Sequence, residues 1–202
     1  MDKTEGFFLV MFFFIVGVSA FLYFQQDDFQ LTCIVSDIDG NKYCVREREK
    51  VKDAVNLLGK VVSKMEKFIQ ILNEKFPEDV RVQRLVKNFN PKKVNETLPT
   101  STYTAYSENK GEKTAFCLNK KSKTDNSHLI DEHTLTFVAI HELSHDMSSQ
   151  IGHKSEFWDN FYFLLEEAKI AKIHEPKNYK ESPAEYCGMT IHDNPYYDLH
   201  SN

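Results

Sequence analysis

His141-Glu142-Leu143-Ser144-His145, continued by Gly152-His153 and Phe157-Trp158, is the stretch on which the reading of this chain turns. Residues four apart lie one helical turn apart on the same face, so His141 and His145 can hold one metal ion between them. Glu142 projects beside that ion, where a carboxylate takes a proton from a bound water. The residues before it fit a helix. Asp131 is a good N-cap, and Leu135, Phe137, Val138, Ala139, Ile140, Leu143 and Met147 supply apolar positions. At about 100° per residue, His145 falls about 40° from His141, with Ala139, Ile140, Leu143 and Met147 well round the helix from both. Two surface histidines on an amphipathic helix would account for that placement. They would not account for Glu142 beside them, nor for Gly152-His153 and Phe157-Trp158 further along the chain.

A hydrolytic zinc takes three protein ligands and keeps a fourth position for water. Ser148-Ser149-Gln150-Ile151-Gly152 breaks the helix. Gly152 suits a left-handed C-terminal cap that turns the chain back and brings His153 to the metal. Asp146, Glu166 and Glu167 are the rivals for the third position. A second helix, from Ser155 to about Ile173, gathers Phe157, Phe161, Leu164, Leu165 and Ala168 on one face. Glu166 falls opposite that face and Glu167 to its side, so both read as solvated. His153 is therefore the expected third ligand.

Together these residues resemble the WLM and SprT-like zinc metallopeptidases. In that group H-E-L-x-H is followed by a third histidine and by an aromatic pair that begins a packing helix. The resemblance runs over roughly residues 100–170. It implies an α+β, zincin-like domain in which a small antiparallel sheet packs on the HExxH helix among further helices. It also implies His141, His145 and His153 as zinc ligands and Glu142 as general base in hydrolysis of a peptide or protein substrate. Seven residues separate His145 from His153 here, where five is usual, so the turn between them is longer.

Upstream, Gly6 to Phe24 is an uncharged apolar run. It predicts one N-terminal transmembrane helix within residues 1–28, with a removed signal peptide (cleavage near Val18-Ser19-Ala20) as the alternative. The expected location is a single-pass membrane protein. Lys3 against Asp27 and Asp28 gives a mild preference for the domain on the non-cytoplasmic side. Residues 29–202 then form the peptidase-like domain, divided into a hairpin at 29–46, a helical part at 47–90 and a metal-site core at 100–173.

In the hairpin, Gln30 to Val35 and Lys42 to Val45 flank Asp37-Ile38-Asp39-Gly40, which reads as a turn rather than a calcium loop. Val51, Val55, Leu58, Val62, Met65, Ile69 and Leu72 recur at helical spacing until Pro77, and a short helix fits Val80 to Phe89. A second hairpin, Thr102 to Tyr106 against Lys113 to Leu118, precedes the metal helix and offers an edge for an extended peptide.

Cys33, Cys44, Cys117 and Cys187 form no C-x-x-C pair. They permit two disulfides in three connectivities, or free buried thiols; Cys33 falls opposite Cys44 in the first hairpin. Asn95-Glu96-Thr97 is a glycosylation sequon. In the tail, Gly188-Met189 fits a turn beneath the metal, and Tyr179, Tyr186, Tyr196 and Tyr197 are candidates for stabilising an oxyanion. His174, His192 and His200 read as surface residues. The net charge of −5 leaves no basic footprint, so no nucleic-acid partner is expected, and Lys120, Lys121 and Lys123 read as a solvated loop. The competing function is a non-enzymatic structural or interaction protein of a membrane or particle that keeps a peptidase-like scaffold. A scaffold has no physical need for a carboxylate at Glu142.

Overall fold

The computed structural model describes residues 3–24, 31–122, 124 and 127–198, with side chains of the first helix described from 6 to 22. The chain runs through α1 (Lys3–Phe24), β1 (Thr32–Val35), β2 (Lys42–Val45), α2 (Val51–Lys75), α3 (Val80–Asn88) and β3 (Val94–Glu96). It continues with β4 (Ala105–Glu108), β5 (Lys113–Phe116), α4 (Glu132–Met147), α5 (Ser155–Ile170), β6 (Ala184–Tyr186), β7 (Met189–Ile191) and α6 (Pro195–Asp198). Helices and strands are thus mixed as an α+β fold, with two corrections to the expected architecture.

The first correction concerns the N-terminus. Among the described residues no helix is long and apolar enough to cross a membrane. The transmembrane helix, the single-pass anchor and the membrane location expected from Gly6 to Phe24 are therefore not supported. Asp27, Asp28, Gln30, Lys123 and His200 lie outside the described residues, as does the side chain of Lys3.

The second concerns the sheet beside the metal helix. Its order is β3-β5-β4, with β4 antiparallel to β5 but β3 parallel to it, so the sheet is mixed. The first hairpin pairs Cys33 with Cys44 across β1 and β2, and a disulfide joins them. Ser36 N–H donates to Asn41 O at 2.9 Å and closes the turn, while the Asp39 carboxylate accepts from Asn41 and from the Tyr43 hydroxyl. Those bonds occupy Asp39 within the turn. A second disulfide, Cys117–Cys187, joins the end of β5 to the tip of the β6–β7 hairpin, and no cysteine is free. That tip is a two-residue turn with positive φ at Cys187 and Gly188, the backbone that tight hairpins require. Met189 is half exposed against Thr104 and does not line the cleft beside His141 and His145.

The helices form as their apolar spacing predicts. α2 buries Ala54, Val55, Leu58, Val62, Met65 and Leu72 along one stripe. It crosses close to the first turn, where a Cβ on Gly59 would meet Ser36 Oγ at 2.3 Å. α4 has Asp131 as its N-cap, accepting from Thr134 N at 2.8 Å. It is buried on nearly every side, because α2, α3, α5 and β4 all pack on it. Each fully buried leucine or phenylalanine here contributes roughly 1.5–3 kcal/mol of transfer free energy. α5 ends three residues before Ile173, with Lys172 in the left-handed region, Ile173 N–H bonded to Ala168 O and Lys172 N–H to Lys169 O. This is the paired closure of a Schellman motif.

His174, read as a surface residue, is instead buried, with its ring 4.3 Å from that of His133 and Nε2 without a hydrogen-bond partner. Burial, then His133 and Lys64, lowers its pKa to about 3. Because the folded pKa is depressed below the ordinary histidine value of about 6.5, stability is full above that value and falls as pH drops towards 3. The loss approaches about 1.4 kcal/mol per pH unit. His174→Phe should flatten this part of the profile, as read from urea midpoints of wild type and variant between pH 7 and 4.

Candidate metal centre

α4 presents His141 and His145 on one face, and the loop after it returns His153 to them. One ring nitrogen from each of the three lies within 4.8 Å of the others, and the Nε2 atoms of His141 and His153 are 3.1 Å apart. Nitrogens on a tetrahedral zinc with arms of 2.0–2.1 Å stand roughly 3.4 Å apart. The donor set fits that ion in type and number, and the His141–His153 pair also in spacing. Phe157, the first residue of the aromatic pair, is buried behind the three rings, with centroids 4.4 Å from His145, 4.5 Å from His153 and 4.9 Å from His141. Trp158 packs 5.8 Å from His153. The aromatic pair thus restricts the imidazole rotamers, and holding them in place lowers the entropy lost on metal binding.

Gly152 has φ +82° but does not cap α4. The helix closes at Ser148, in an extended conformation, whose N–H donates to Ser144 O and His145 O and whose hydroxyl donates to Ser144 O. The longer turn is braced from α5. The Glu156 carboxylate accepts from Ser149 N at 2.9 Å, Ser149 Oγ at 2.5 Å and Gln150 N at 3.3 Å, and meets Arg84 at 3.2 Å. Arg84 also donates to Met147 O at 2.6 Å. The Ser149 hydroxyl first, then its backbone N–H, holds the Glu156 carboxyl down at about 2. Glu156→Ala should free the turn that carries His153 and weaken zinc binding by about 10–100-fold, the range for lost supporting partners, as measured by competition with a chromophoric chelator.

The rivals for the third position are placed elsewhere. Glu166 is exposed, and Glu167 is buried rather than solvated, 2.6 Å from Lys75 Nζ of α2. Asp146 is fully buried and accepts from the Ser107 hydroxyl. None of the tail tyrosines lines the site: Tyr186 is buried and donates to Thr104 O at 2.9 Å, and the tyrosines that do line it are Tyr103 and Tyr106. Their signal in the sequence was the hairpin before the metal helix.

The three histidines and Glu142 face a cleft of about 940 Å³, bounded on one side by β4 and the segment before it and on the other by Gln150 to His153. Burial first, then the neighbouring imidazoles, lowers the pKa of His141 to about 3 and of His145 to about 4, and burial lowers that of His153. All three rings are neutral at pH 7, the form that binds metal. Glu142 is only 4% exposed; burial, then Asp146 one turn on, raises its pKa to about 8. A cation beside it favours the carboxylate over the acid.

No protein-family model matches the chain. It is 26% identical over 183 residues to the uncharacterized protein R325 of Acanthamoeba polyphaga mimivirus, covering 88% of this chain and 91% of that one. The crystal structure of Wss1 from Saccharomyces cerevisiae is similar at a TM-score of 0.46 with 17% identity, over 62% of this chain and 84% of that one.

Proposed function

We propose that the chain is a zinc-dependent peptidase of the WLM and SprT-like type, with His141, His145 and His153 as ligands and Glu142 as general base. The observation that carries this reading is the convergence of three neutral imidazoles with a buried carboxylate at the floor of an open cleft. Held by those three imidazoles, a zinc ion would supply Lewis acidity, lowering the pKa of water there to about 7 and polarising the scissile carbonyl. Glu142 takes the proton of the attacking water and passes it to the leaving amine as the C–N bond breaks. Among the described residues β4 pairs only with β5, so its other edge can align an extended peptide across the cleft.

The test combines metal and activity. Chelated protein should cleave no member of a quenched-fluorescence peptide library, and one equivalent of zinc should restore cleavage. His153→Ala should lower zinc affinity by more than the roughly 100-fold caused by loss of a supporting partner. Cleavage that survives chelation, or full zinc affinity in His153→Ala, would refute the reading.

A further inference from the structure

The corner where β4 meets α4 is built more expensively than packing needs. Asp146 is fully buried, one helical turn after Glu142, and its Oδ1 accepts from the Ser107 hydroxyl while Oδ2 has no partner. A buried carboxylate serving one hydroxyl costs stability that an apolar residue there would not. The Ser107 hydroxyl in turn accepts from Gly111 N–H at 2.8 Å, and the Ser107 backbone N–H points to the Glu142 carboxylate. One residue of the edge strand therefore touches both carboxylates of α4.

The hairpin tip beyond β4 is pressed onto the same corner. Gly111 has φ +92°, and a Cβ there would lie 2.4 Å from Asn88 O and 3.0 Å from Asp146 Oδ2. Asn88 Nδ2 donates to the Asp146 carbonyl at 2.8 Å, and Lys110 Nζ donates to Ser148 O at 2.9 Å. Ser107 and Lys110 thus tie β4 and the β4–β5 tip to the end of α4, and Asn88 ties α3 to the same turn.

We propose that Ser107 and Asp146 are positioning residues, a clamp that fixes the register of β4 on α4 and through the Ser107 N–H aims the Glu142 carboxylate into the cleft. The clamp rests on the peptidase reading for its purpose but not for its existence. Removing the Asp146 acceptor lets β4 slide from α4, and Glu142 loses its orienting donor while the imidazoles stay packed on Phe157. A misplaced base lowers turnover and leaves ground-state binding of substrate largely unchanged.

The experiment uses the full, zinc-loaded chain as wild type, Asp146→Ala, Asp146→Asn and Ser107→Ala. Three quantities are read: bound zinc, hydrogen–deuterium exchange over residues 105–111, and kcat and KM on the best-cleaved library peptide. Asp146→Ala and Ser107→Ala should keep their zinc, exchange about tenfold faster over that segment, and lose about 10²-fold in kcat at unchanged KM. Asp146→Asn keeps an acceptor oxygen and should restore both. Wild-type exchange in Asp146→Ala and Ser107→Ala, or an Asp146→Asn as impaired as Asp146→Ala, would overturn the clamp. If Asp146→Ala does not fold, Ser107→Ala and Asp146→Asn decide by the same criteria. If the wild type cleaves nothing, the peptidase reading fails and the exchange data still decide the clamp.

Discussion

Glu142→Gln is expected to keep its zinc and lose about 10²–10⁴-fold in kcat, the range for removal of a general acid–base group. Glutamine has the shape of glutamate and retains an oxygen for the Ser107 N–H, but it takes no proton from water. The variant removes a function rather than a contact: Glu142 is not among the three grouped imidazoles, and its neighbours on α4 stay packed. KM should change little, because the interaction is made in the transition state. Parallel measurements of bound zinc, kcat and KM on one peptide check it. Wild-type turnover in the variant would remove Glu142 from the mechanism.

Glu96→Ala is expected to destabilise the fold by about 3–5 kcal/mol, as when one member of a buried ion pair is deleted. Glu96 and Arg46 are each 2% exposed. The carboxylate accepts from Arg46 N at 2.8 Å and pairs with the Arg48 guanidinium. Burial pushes the Glu96 carboxyl up, against the opposing pull of Arg48 and the Arg46 N–H. Without it two guanidiniums face each other inside the protein. Arg46 also donates to Thr97 O at 2.7 Å and Leu98 O at 2.9 Å, and Leu98 lines the cleft, so the damage should reach the site. The urea midpoint of the zinc-loaded variant measures the effect; a midpoint equal to the wild type would show that the arginines find other acceptors.

The helices were legible because each carries its own periodic stripe and stop signal: Val51 to Leu72 before Pro77, and Asp131 ahead of Leu135. The hairpins were legible from their turns. β3 was not, since Val94-Asn95-Glu96 is too short for a periodic signal and its strand character comes from pairing with β5 over a long separation. Glu167 and His174 were misread for a related reason. A helical wheel treats its helix as isolated, whereas Lys75 reaches Glu167 from α2; His174 lies beyond α5, and His133 covers it from α4 in a contact that local sequence does not signal. The uncharged run from Gly6 looked long enough for a bilayer, yet among the described residues no helix is both long and apolar enough to cross one. At the site, local spacing placed His141, Glu142 and His145, and Gly152-His153 marked the return. Ser107 was invisible, because nothing in Tyr106-Ser107-Glu108 marks a partner on a helix nearly forty residues away.

The link between Cys117 and Cys187 spans 70 positions, and α4, the following turn and α5 all lie between its ends. The three imidazoles therefore belong to a covalently closed ring. In the unfolded state such a ring forfeits chain entropy worth about 4 kcal/mol for a closure of this length. On the proposed zinc-peptidase reading, a chain stripped of metal keeps that advantage and regains its site from a restricted ensemble. Once thiols have opened the ring, His141 and His153 must meet from an open coil, so chelator and reductant together are expected to inactivate the protein more durably than either alone.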